Sequence, residues 1–166
     1  MIPTITATLR AVSTARFFNT ERGYQGEFLA ELRKALPALG LPGDAIVEQE
    51  YQKTLPAHKI KVRPDIIVHV PTPAGGNRAA DNFAVFELKR RASTAEARED
   101  FGSLDAVIAA LNYPLGVFVN IDSEQTRAAD YAGPYRDRIH FFAVRLVDGV
   151  VTIRHAQYTA NGLVER

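Results

Sequence analysis

The chain has no cysteine, which excludes disulfides, thiolate zinc sites and cysteine nucleophiles together, so any bound metal must be held by oxygen or imidazole ligands. No run of about 18 apolar residues occurs, and the start, MIPTITATLR, lacks the basic stretch and continuous apolar core of a signal peptide. The expectation is a soluble, cytoplasmic protein with no membrane partner. An excess of charge of one sign is missing too: 20 Lys and Arg stand against 19 Asp and Glu, a net charge of +1. Affinity for a polyanion therefore has to come from a local patch. Walker, dinucleotide-glycine and G-x-S-x-G patterns are absent, which leaves nucleotide-driven, redox and serine-hydrolase chemistry without support. Of the 166 residues 46% are hydrophobic, and no repeat or linker interrupts them, so residues 1–166 read as a single domain.

What is present reads as an α/β fold. Asn19 or Thr20 caps a helix whose apolar residues Tyr24, Phe28, Leu32, Ala35, Leu36 and Leu39 share one face, and Gly40 followed by Pro42 stops it. AIVEQEY (45–51) is a first strand, and TLPAHK a turn. RPDIIVHVP gives a second strand between Pro64 and Pro71, PTPAGGNRAADN an exposed loop, and FAVFELK (83–89) a third strand. Ser93 and Glu96 form a capping box for a helix running to Pro114 through Phe101, Leu104, Val107, Ile108 and Leu111. LGVFVNI is then a strand buried on both faces, so residues 83–121 read as a βαβ crossover. A short helix is expected at 124–131, and Asp148-Gly149 between IHFFAVRLV and VVTIRHAQY predicts a C-terminal β-hairpin.

The chemistry concentrates on Asp65, Glu87 and Lys89. Side chains alternate across a strand, so Glu87 and Lys89 share a face, together with Phe83 and Val85. Two charges at the end of an apolar row cost several kcal/mol unless something compensates them. Asp65 opens the preceding strand, and if the two strands are neighbours its carboxylate lies beside Glu87. Paired carboxylates repel unless a cation sits between them. A divalent oxygen-liganded ion, magnesium first with manganese as its substitute, resolves that repulsion, and hydrolysis of a phosphodiester is the reaction such a site suits.

Pro64-Asp65 followed by Glu87-Leu88-Lys89 resembles the PD-(D/E)xK nuclease family, the restriction-endonuclease-like fold. The expected order αβββαβ, a mixed sheet flanked by helices, is similar to that family's core and covers about residues 19–121, with 122–166 as an extension. The resemblance implies a magnesium site made by Asp65, Glu87 and the main-chain carbonyl of Leu88, with Lys89 acting on the attacking water. It also implies an acidic residue from the first helix, for which Glu27 is chosen over Glu31. The Q-x-x-x-Y element of the RecB-like branch is absent. Asp100 and Phe101 stand in its place.

Lys59, Lys61, Arg63, Arg90 and Arg91 cluster near the motif as candidates for neutralising phosphates. Of these Lys61, Arg63 and Arg90 are the chosen substrate contacts. The four histidines, at 58, 69, 140 and 155, show no metal-ligand spacing, and His69 reads as a satisfied strand histidine. The expected function is a magnesium-dependent nuclease acting on DNA, with RNA as the other substrate class. Two alternatives stay open: a non-catalytic nucleic-acid-binding module, and a subunit that cuts when a partner protein delivers substrate. A homodimer would suit cutting two strands.

Overall fold

The computed structural model describes residues 1–49, 62–71 and 81–166. A seven-stranded sheet runs in chain order through β1 (Ile46–Gln49), β2 (Ile66–His69), β3 (Asn82–Arg90), β4 (Gly116–Ile121), β5 (Ile139–Val147), β6 (Val150–Thr159) and β7 (Gly162–Glu165). The pairs β3–β4 and β4–β5 are parallel and the other four are antiparallel. Helices α1 (Ile2–Ala11) and α2 (Glu21–Ala35) cover one face, where Ile5, Leu9, Phe28 and Leu32 meet Ile66, Phe86, Val117 and Phe142. Helix α3 (Thr94–Leu111) covers the other, where Phe101, Leu104 and Ile108 meet Ile67, Val85, Phe118 and Phe141. No helix among the described residues is long and apolar enough to cross a membrane.

Local chemistry sets the element ends. The Thr20 side chain accepts from Gly23 N–H at 3.1 Å and starts α2. Pro37 cannot donate an i→i−4 hydrogen bond, so the α-helix gives way at Leu36–Leu39 to a 3₁₀ turn, which closes on left-handed Gly40 (φ 66°). The Ser93–Glu96 capping box is complete on both sides, and Asn112 ends α3 in the left-handed region (φ 52°). Between β5 and β6, Asp148 (φ 49°) and Gly149 (φ 78°) adopt the paired positive φ that a tight turn of this hand requires.

Four elements depart from the sequence reading. Helix α1 was not expected, because Ile and Thr are weak helix formers. Its signal is the spacing of buried Ile5, Thr8 and Leu9, and the Thr6 and Thr8 hydroxyls are satisfied by the carbonyls of Ile2 and Thr4. The helix expected at 124–131 shrinks to a 3₁₀ turn at Ala128–Asp130. There Ser123 Oγ accepts from Gln125 N–H at 3.1 Å and Asn120 Nδ2 donates to Gln125 O at 2.8 Å, so side chains take the backbone groups a helix would need. Strand β7 extends the hairpin into a three-stranded unit. The register shifts between Val68 and His69 opposite β3, a bulge that turns Phe83 toward the α1–α2 core and away from the face of Val85 and Glu87.

Candidate active site

The site lies where β2 begins and β3 runs on beyond it. Ile66 pairs with Phe86 and Ile67 with Val85, so one further step of the same register sets Asp65 opposite Glu87. Both then share the α3 face with Ile67 and Val85. Beyond Phe86 the edge of β3 facing β2 has no strand partner among the described residues, and carboxylates take over the ladder. Leu88 N–H donates to Asp65 Oδ2 at 2.7 Å and Arg90 N–H to Glu21 Oε2 at 3.1 Å. The N–H and C=O of one strand residue project toward the same edge, so the Leu88 carbonyl is directed to the side on which Asp65 lies.

Glu87 is 7% exposed. Its carboxyl is held well above the usual carboxylate range, chiefly by burial, then by the negative charges of Asp65 and Asp100. A hydrogen bond with the Asp65 side chain raises it further, and one from the Asp65 main chain opposes the rise. Asp100, near the start of α3, is pushed up to about 7, first by burial, with Lys89 opposing and Asp65, Glu21 and Glu99 adding to the rise. Burial works to lower Lys89, but Glu21, Asp100, Glu96 and Asp65 together outweigh it and hold the ammonium above its ordinary value. Lys89 is therefore a proton-bearing donor at neutral pH. Its ion pair runs to Glu21 Oε2 at 3.8 Å.

Asp65, Glu87 and Lys89 are thus brought together, and Glu27 is not. The acid that α2 delivers is Glu21. Six residues at about 100° each carry Glu27 some 240° round the helix from Glu21, onto the flank where its charge acts on Lys34. Glu31 shares that flank and pairs with Lys34 at 2.6 Å. Gln25, four residues after Glu21 and so on nearly the same face, is buried and donates from Nε2 to Asp65 O at 3.2 Å. It pins the start of β2. A buried amide beside the stripe of Tyr24 and Phe28 was the available sign of this role, and Thr20 capping α2 was the sign that Glu21 stands at its mouth.

The basic candidates separate. Arg90 is a brace between elements: Nε donates to Phe18 O at 2.7 Å and Nη2 to Asp122 Oδ2 at 2.8 Å, so its guanidinium is committed within the fold. Arg91 is exposed and pairs with the same Asp122 oxygen. Arg63 is exposed two residues before Asp65. Lys59 and Lys61 lie outside the described residues, as do Glu50 and His58. Glu48 meets His69 Nε2 at 2.7 Å, which leaves His69 the satisfied strand histidine its sequence position suggested.

The chain's fold is that of two solved structures. NucC from P. aeruginosa ATCC27853, in its cAAA-bound form, matches with a TM-score of 0.55 at 12% identity over 98% of this chain and 78% of that one. NucC from E. coli MS115-1, in its apo form, matches with a TM-score of 0.56 at 12% identity over 100% of this chain and 83% of that one. Both have the restriction-endonuclease-like fold. No protein-family profile and no curated protein matches the sequence.

Proposed function

We propose that the chain is a divalent-metal-dependent nuclease that hydrolyses DNA phosphodiester bonds at a site made by Asp65, Glu87 and Lys89. The observation that carries this reading is the placement of two carboxylates in register at the open edge of β3, one of them 7% exposed, with a protonated lysine two residues on. A fold that buries Glu87 against the charges of Asp65 and Asp100 bears a cost that a cation removes. The fold shared with the two NucC structures is compatible with that chemistry.

Magnesium fits these donors, and manganese is its substitute. Among the described residues no three His, Asp or Glu side chains gather as a complete cage. Magnesium takes one or two carboxylates and fills its other positions with water and phosphate oxygens, so a full cage is not what it needs. Asp65 and Glu87 would hold the ion, with the Leu88 carbonyl directed to the same edge. When bound, the ion lowers the pKa of a coordinated water and polarises a phosphoryl oxygen.

The remaining work falls to the chain's own side chains. Lys89, kept charged by its acidic neighbours, donates hydrogen bonds to the attacking water and to the oxygens on which negative charge grows. Glu21 tethers Lys89, and Gln25 holds the main chain of Asp65 in place. Arg63, exposed two residues before Asp65, supplies positive charge for the phosphate backbone, and Lys61 is the further candidate from the sequence.

The test is cleavage of linear, circular, single-stranded and branched DNAs, with RNA alongside, in magnesium, manganese and EDTA. Wild type cuts in either metal and not in EDTA, and Asp65→Ala and Lys89→Ala do not cut. Equal cutting by either variant and wild type removes that residue from the site.

A further inference from the structure

Helix α3 brings another carboxylate to this place. Its capping box fixes the first turn just after β3, and it packs on the face of the sheet that carries Val85 and Glu87. Asp100 stands at the second turn. Its Oδ2 is buried and has no hydrogen-bond partner among the described residues. Its charge acts on both Glu87 and Lys89, yet the ion pair that Lys89 makes is with Glu21. Asp100 and Lys89 thus attract each other without a direct ion pair. A dehydrated, unmatched oxygen is a cost to the fold, and such oxygens are retained where they serve a site.

We infer that Asp100 is a further residue of the active site, whose carboxylate accepts a hydrogen bond from the attacking water that Lys89 also contacts. The inference rests on the nuclease reading. Lys89 donates to the water and Asp100 accepts from it, so the two side chains together fix how the water is turned toward phosphorus. Asp100 orients the water, and no bond to it forms. A purely structural Asp100 would instead have its oxygens matched within the protein.

The experiment compares wild type with Asp100→Ala and Asp100→Asn in two readouts. The first is steady-state cleavage with magnesium varied. The second is thermal melting in EDTA. Both variants are expected to lose at least tenfold in kcat, with KM and the half-saturating magnesium concentration within twofold of wild type, and to melt at or above the wild-type temperature. Unchanged kcat overturns the inference. So does a lower melting temperature in both variants, the mark of a structural role. A tenfold rise in the magnesium requirement also overturns it, because Asp100 would then be a metal ligand. If wild type cuts nothing, the proposed function has failed, and melting alone judges Asp100: a rise keeps it as a residue held at the expense of stability, and a fall removes it.

Discussion

Replacing Glu87 by Gln should make the metal-free protein more stable. The Glu87 carboxyl is buried, faces the charges of Asp65 and Asp100, and sits well above the usual carboxylate range for those reasons in that order. At an effective dielectric of about 20, two carboxylate charges about 4 Å apart repel by about 4 kcal/mol. Part of that is already relieved by keeping a proton, so the neutral isostere recovers about 1–3 kcal/mol at alkaline pH. For a chain of this length that is a rise in Tm of about 2–10 °C. The pH dependence gives the sharper signature. A carboxyl whose folded value is raised holds its proton more tightly in the folded chain. Its contribution is complete below the unfolded value and is lost as pH rises through the folded one. Metal-free wild type should therefore lose stability from the ordinary carboxylate range upward, with Asp100 adding to the fall up to about pH 7. Glu87→Gln should flatten that fall. Melting followed by circular dichroism in EDTA at several pH values reads both effects. A lower Tm for Glu87→Gln at every pH would refute the reasoning, because Glu87 would then be a satisfied structural partner.

On the acid side the His140–His155 pair dominates expectation. His140 Nδ1 and His155 Nε2 lie 2.8 Å apart, and His155 stacks on Phe142. Burial, then the His155 charge, lowers His140 to about 4, and burial, then Arg166, lowers His155. Neutral histidines in the folded chain give stability that is present above about 6.5 and lost as pH falls through about 4, so Tm should drop in that window and His140→Asn should shrink the drop. An identical acid limb in the variant would remove the pair from the account. Ser93→Ala should cost about 1 kcal/mol by opening the capping box, read as a shifted urea midpoint at unchanged slope. No shift would mean the start of α3 is held by its core contacts alone.

Much of the candidate site's geometry was legible because it lies on elements with strong local signals. Strand alternation put Glu87 and Lys89 on one face, Pro64 fixed where β2 starts, and the capping box placed α3. What was not legible depends on rotation and register between elements. Glu27 was chosen from its position beside the stripe of α2, but which flank of that helix meets the sheet is set by packing of Tyr24, Phe28 and Leu32 against β3, and this brings Glu21 and Gln25 to the site. Phe83 was miscounted because a bulge breaks the two-residue period. Arg90 looked like a phosphate contact from sequence proximity. It became a brace because Phe18 and Asp122, distant in sequence, close around it. Asp100 carried no motif, and what marks it is a buried oxygen without a partner among the described residues together with the influence of its charge on Glu87 and Lys89.

The proposed divalent ion between Asp65 and Glu87 is tested most directly by the magnesium dependence of DNA cleavage by wild type beside Asp65→Ala. Cutting by wild type that saturates with magnesium, stops in EDTA and is absent from a folded Asp65→Ala protein is the result expected. Cutting that persists in EDTA, or that Asp65→Ala performs equally well, would contradict it.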